Sequence, residues 1–131
     1  MRIHHVALRT ADLARLESFY VNVIGLAVIP AAPRAAPGGG DRVWLAAGGA
    51  VLMLEGAADG EPTVTPGTMD LLAFGAFTGE DAGGDATGRP LDRWRARLER
   101  AGVPVEAETP HTLYFRDPDG RRVALSDHPL R

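Results

Sequence analysis

The strongest constraint in this sequence is that it repeats. Leu13, Leu16, Tyr20 and Val23 form an i, i+3, i+7, i+10 apolar stripe, and Leu91, Trp94, Leu98 and Ala101 form the same stripe 78 residues later. Such spacing marks a helix with one buried face. A hairpin follows each helix, and the two hairpins also superpose: Gly49-Ala50-Val51-Leu52-Met53-Leu54 lies over Gly120-Arg121-Arg122-Val123-Ala124-Leu125 at an offset of 71. With 131 residues the chain has the length of one domain, so the duplication lies inside a single small fold.

Local signals fill in each copy. Residues 2–9 read as a strand, Asp12 as the N-cap of a helix over 13–23, and Gly25 as its stop. Leu26–Ile29 is a second strand, and 31–40 (AAPRAAPGGG) is a loop. Asp41–Ala46 and Ala50–Glu55 then form a hairpin about Ala47-Gly48-Gly49. Residues 57–68 are a linker, after which the order recurs. Met69–Phe77 is a strand, 78–89 a polar Gly-rich loop, 91–101 a helix ended by Gly102, and Val103–Ala107 a strand. His111–Arg116 and Arg121–Ser126 flank the turn Asp117-Pro118-Asp119-Gly120. The pattern predicts an α+β fold of two tandem βαβββ modules, 1–56 and 69–131, in one domain covering 1–131. One helix covers only one face of a four-stranded sheet, so the other face needs a second module to close it. The expected result is a curved mixed sheet with a central cleft fit for a small molecule.

Absences narrow the chemistry. Without Cys there are no disulfides, thiolate nucleophiles or Cys-bound metal clusters. All fourteen basic residues are Arg, which removes lysine Schiff bases and a Walker-type phosphate lysine. Any metal site must be built from His and carboxylate. The formal charge of −3 argues against a general field for nucleic acid, and no apolar run reaches the length of a membrane span. The N-terminus lacks a signal-peptide layout, so a cytoplasmic protein is expected.

His5-x-x-Leu8-x-x-x-Asp12-Leu13, followed by Phe19-Tyr20 and Gly25-Leu26, resembles the opening module of the vicinal oxygen chelate superfamily. That group includes glyoxalase I, extradiol dioxygenases, fosfomycin-resistance enzymes, methylmalonyl-CoA epimerases and bleomycin-binding resistance proteins. The tail from Tyr114 to Leu125 resembles the last hairpin of the same family. The resemblance covers nearly the whole chain and implies a homodimer.

Metal-dependent members place one ligand on the first strand and one on the last strand of each module. Carried over residue by residue, those positions are His5, Met53, Leu71 and Ala124. Leu and Ala have no donor atom, and a thioether prefers soft metals. The expectation is therefore a degenerate metal site and no cofactor. Glu55 lies two residues past Met53 on the same face and gives a fallback: His5 and Glu55 as ligands of a displaced Ni, Zn, Mn or Fe ion, with His111 or His128 as a third. A His5–Glu55 pair would also raise the His5 pKa. Against this stand plain readings, with Glu55 a rim carboxylate and His5 a hydrogen-bonded wall residue.

Arg122 and Ser126 share the face of Ala124 by strand alternation, and Arg122 could clamp a carboxylate or phosphate. Tyr114 resembles a ligand-contacting position of the family, its direction depending on the turn register. Trp44 is either core or a stacking surface. Asp117 and Asp119 read as turn formers, and Arg93, Arg95, Arg97 and Arg100 as a solvated helix face.

The resemblance, taken with these residues, implies a protein of the bleomycin-resistance type that binds or sequesters a bulky, partly aromatic compound. His5, Met53, Glu55, Leu71, Tyr114, Arg122 and Ala124 are the expected contacts. The alternative is a lyase, isomerase or dioxygenase-like enzyme using His5 as general base, with Glu55 assisting.

Overall fold

Each copy of the repeat opens with a strand followed in sequence by a helix. In the first, β1 (His5–Thr10) ends on Thr10, fully buried, whose hydroxyl accepts from the Asp12 N–H at 3.1 Å. Asp12 then caps α1 (Leu13–Ser18), its side chain accepting from the Arg15 N–H at 3.1 Å. The computed structural model describes residues 1–30, 32–35, 41–76 and 88–130. The helix expected over 13–23 is two pieces, because Phe19–Val23 forms a π-helical turn in which the Ile24 N–H donates to the Phe19 carbonyl. The apolar stripe does not distinguish this wider turn from an α turn, since either one buries Leu16 and Tyr20.

Gly25, at φ 87°, lets the chain reverse into β2 (Ala27–Val28). The hairpin β3 (Arg42–Ala47) and β4 (Ala50–Gly56) follows. The sheet order is β1-β4-β3-β2, with β1 parallel to β4 and the other pairs antiparallel.

The second copy repeats the plan with β5 (Leu71–Gly75), α2 (Pro90–Arg100), β6 (Ala107–Thr109), β7 (Thr112–Arg116) and β8 (Arg122–Ser126). Its order is β5-β8-β7-β6, again with the first strand parallel to the last. The strand expected from Met69 begins at Leu71, and other details differ from expectation too. Ala101 is the exposed C-cap of α2 rather than part of its buried stripe. The strand expected at 103–107 begins only at Ala107, because Pro104 has no N–H to donate and pairing with β7 starts where Glu106 N–H reaches the Tyr114 carbonyl.

The chain divides into two compact units, Met1–Val64 and Thr65–Arg131. In the first, α1 packs on β4, and the covered face holds Leu8, Val43, Leu45, Leu52 and Leu54. In the second, α2 packs on β7 and β8, with Leu91, Trp94 and Leu98 over Leu113, Phe115, Val123 and Leu125. Burying each such side chain contributes about 1.5–3 kcal/mol. These interiors fix the registers on which the site geometry depends. Among the described residues no helix is long and apolar enough to cross a membrane.

Candidate functional site

The register assigns the candidate residues to faces. In the first unit Ala7 pairs with Met53 and Trp44 also pairs with Met53, while His5 pairs with Val51 and Arg9 with Glu55. Paired residues point the same way and alternate along the strand. His5, Trp44, Met53 and Glu55 therefore share the face turned away from α1. His5 and Trp44 are in ring contact with centroids 5.8 Å apart, and the Arg42 guanidinium lies 5.3 Å from the Trp44 centroid. Trp44 is half-buried, and its Nε1–H donates to the Pro33 carbonyl at 3.0 Å. Met53 is buried.

The second unit repeats this layout. Ala73 pairs with Ala124, Ala124 with Tyr114, and Leu71 with Arg122. The turn register left open by the sequence is thereby settled: Tyr114 shares the face of Ala124 and Arg122. Ala124 is fully buried and Leu71 is 43% exposed. The registers also match across the repeat, His5 with Leu71, Met53 with Ala124, and Trp44 with Tyr114. Each unit thus presents one aromatic ring beside its last strand, on the face opposite its helix. The guanidinium of Arg122 lies 4.5 Å from the Tyr114 centroid.

Other expected associations are absent. His5 and Glu55 share a face but lie four register pairs apart, about 13 Å along the strands. Glu55 instead pairs with Arg9 at 3.6 Å, and Arg9 also holds Glu61. The register thus does not bring His5 and Glu55 together as the fallback metal pair or as a side-chain pair. His5 Nδ1 lies 2.8 Å from His4 Nδ1, one imidazole donating to the other. Among the described residues no group of three His, Asp or Glu side chains is placed to hold a metal ion.

His111 turns to Asp127 at the end of β8, its Nδ1 donating to Oδ1 at 2.8 Å, while Arg89 donates to Oδ2 at 3.1 Å. The His128 ring stacks edge-on against His111 with centroids 5.5 Å apart. Burial pushes the Asp127 carboxyl up, but the hydrogen bonds and charges of His111 and Arg89 outweigh it and hold the group below its ordinary 3.8. Nothing in the spacing announced this cluster.

Asp117 is a turn former, as expected. Its carboxylate accepts from the N–H groups of Asp119 at 2.9 Å and Arg121 at 3.0 Å, and pairs with the Arg121 guanidinium at 2.6 Å. On α2, Arg95 bridges Asp92 and Glu108, whereas Arg97 lies over the Trp94 ring at 5.2 Å. A cavity of about 350 Å³ opens at Arg89, Asp92, Arg95, Glu108 and Pro110, away from the face that carries Tyr114 and Ala124. Of the loop 31–40, residues 31 and 36–40 lie outside the described residues, as does most of 78–89.

The match to known proteins covers nearly the whole chain. Residues 2–125 match the family described as Glyoxalase/Bleomycin resistance protein/Dioxygenase superfamily. Among solved structures, the genomically encoded fosfomycin resistance protein FosX from Listeria monocytogenes, complexed with Mn(II) and 1S,2S-dihydroxypropylphosphonic acid, is 18% identical. The alignment covers 98% of this chain and 94% of that one, at a TM-score of 0.73. The antibiotic binding protein TnmS3 from a Streptomyces species is 23% identical over 96% and 94% of the two chains, with a TM-score of 0.68. Lactoylglutathione lyase from Agrobacterium tumefaciens is 25% identical over 95% and 92%, with a TM-score of 0.62. No curated protein matches the sequence.

Proposed function

Since the chain belongs to the glyoxalase/bleomycin resistance protein/dioxygenase superfamily, we propose that it binds or sequesters a bulky, partly aromatic small molecule without a catalytic metal. The observation that carries this reading is the side-chain chemistry at four matched positions. His5 and Leu71 stand at one position of the two units, and Met53 and Ala124 at the other. Only His5 among them suits a hard or borderline divalent ion, and a working catalytic metal needs about three protein ligands. Glu55, the nearest carboxylate on that face, is held by Arg9. The residues present do not fit the divalent ion that relatives such as FosX hold.

What replaces those ligands favours apolar contact. Met53 and Ala124 are buried beside the half-buried Trp44 and Tyr114, so each face offers a ring edge or plane for stacking over an apolar layer. The antibiotic binding protein TnmS3 has the same fold and is named for binding rather than turnover. In this reading modules 1–56 and 69–131, joined by 57–68, make up one domain. The contacts are His5, Met53, Glu55, Leu71, Tyr114, Arg122 and Ala124, and the protein works as a cytoplasmic homodimer.

Calorimetric titration of untagged protein with Ni²⁺, Mn²⁺, Fe²⁺ and Zn²⁺, followed by a thermal-shift screen of aromatic natural products, tests the proposal. The expected result is no stoichiometric metal at micromolar concentration and stabilisation by a subset of the aromatics. A ligand at 100 times its Kd adds about 2.7 kcal/mol, easily seen in Tm. Stoichiometric metal that is lost in His5→Ala would overturn the reading and favour catalysis with His5 as ligand or base.

A further inference from the structure

Arg122 and Arg121 are neighbours in sequence with opposite circumstances. Arg121 is paired with Asp117 at 2.6 Å and has Asp119 at 3.9 Å. Arg122 has only 19% of its side chain exposed, and its Nε is buried with no hydrogen-bond partner. The carboxylate oxygen paired with it, Glu106 Oε1, is 4.0 Å from that Nε. Glu106 is itself engaged by Arg116 Nε at 3.1 Å, and Arg116 also donates to the carbonyls of Thr68 and Gly120. One carboxylate thus serves two guanidinium groups, which leaves one positive charge in the cluster.

The position of that charge is fixed. Arg122 lies over the Tyr114 ring, and the two side chains share a face with Ala73, Ala124 and Leu71. Stacking holds the guanidinium plane and dehydrates one side of it, so hydrogen bonds at its edge form in a medium less polar than water. A guanidinium presents its N–H groups as a planar fork that matches the two oxygens of a carboxylate. One surplus charge balances a monoanion, while Glu106 nearby disfavours a dianion.

We propose that Arg122, held on the Tyr114 ring, is the anchor for a carboxylate group, and that the ligand class is an aromatic monocarboxylate. The inference rests on the preceding reading for the aromatic body and adds the charged end. Ala73, exposed on that face, supplies a small side chain next to the fork, so a flat ring attached to the carboxylate meets no bulky neighbour from β5 at that position.

The test is an NMR titration of the full chain with 2-naphthoate, neutral 2-naphthamide and acetate, on wild type, Arg122→Gln and Arg122→Lys. In wild type 2-naphthoate should bind at least about tenfold more tightly than 2-naphthamide. Arg122→Gln should erase that difference, the two naphthyl probes then binding alike, and Arg122→Lys, which keeps the charge but not the fork, should retain part of it. Equal binding of the two naphthyl probes in wild type, or the same preference in Arg122→Gln, overturns the carboxylate anchor and leaves the apolar reading standing. Acetate perturbing wild type but not Arg122→Gln, with neither naphthyl probe bound, supports the anchor and removes the aromatic ligand. No response to any of the three probes overturns both.

Discussion

Removing the Asp117 carboxylate should be among the most damaging single changes available in the second unit. Its side chain is fully buried and holds the five-residue connection between β7 and β8 by two backbone N–H groups and one guanidinium. Asp117→Asn keeps an oxygen for the backbone donors and loses the charge-assisted contact to Arg121, worth about 1.5–3 kcal/mol. Asp117→Ala loses all three contacts and strands a guanidinium that is 12% exposed, which places the loss at about 3–5 kcal/mol. Asp119 Oδ2, 3.9 Å from Arg121, offers partial relief, so the lower half of that range is the better expectation.

For a domain of this size 3 kcal/mol lowers Tm by about 10 °C, and urea denaturation of both variants would give the ordering directly. The double variant Asp117→Asn/Arg121→Met should recover part of the loss, since it removes the stranded charge as well as its partner. An Asp117→Ala protein within about 0.5 kcal/mol of wild type would refute the reasoning, because a turn held by a buried ion pair could not tolerate that change. The functional corollary is testable in the same samples. This turn sets the register that puts Tyr114, Arg122 and Ala124 on one face, so ligand-induced stabilisation should fall with the turn.

Leu16→Ala, at a fully buried position of α1, should cost about 2–5 kcal/mol by urea denaturation and leave the second unit's secondary structure readable by NMR. Asp127, whose carboxyl titrates below its ordinary 3.8, contributes stability that is complete above that value and is lost as pH falls through its lower folded value. The gap in urea midpoint between wild type and Asp127→Asn should therefore be widest at neutral pH and close in acid. Met53→Glu places a carboxylate on a buried strand position; burial raises its pKa, so the variant should lose stability as pH rises from 4 to 8, measured as a falling urea midpoint.

Much of the architecture was legible because its punctuation is chemical. Asp12, Gly25, Gly102 and the Asp-Pro-Asp-Gly turn each do in the structure what their side chains or missing side chains permit. The start of β6 was misplaced because Val103 and Val105 look like strand residues, whereas pairing depends on which N–H groups can reach β7. The site was legible by face and not by contact. Alternation correctly grouped Met53 with Glu55 and Arg122 with Ala124, but a period of two says nothing about distance along the strand, which is what separates His5 from Glu55. The partners of Arg9, Glu106 and Asp127 come from loops and neighbouring strands, and no spacing in the chain announces them.

The duplicated frame lets one chain serve as its own comparison. Between the two copies, Leu8 answers to Phe74, Leu54 to Leu125, Leu45 to Phe115 and Val43 to Leu113: the covered sides have kept a single vocabulary of apolar side chains. On the outward sides a ring (Trp44, Tyr114) and an alanine (Ala7, Ala73) are kept, but His5 answers to Leu71, Val51 to Arg122, and Glu55 to Ser126, pairs with no shared chemistry. Packing has disciplined one side of each sheet, while the other has been free to specialise. The second copy holds an arginine where the first holds a valine, so the two outward surfaces carry different instructions written on one grid.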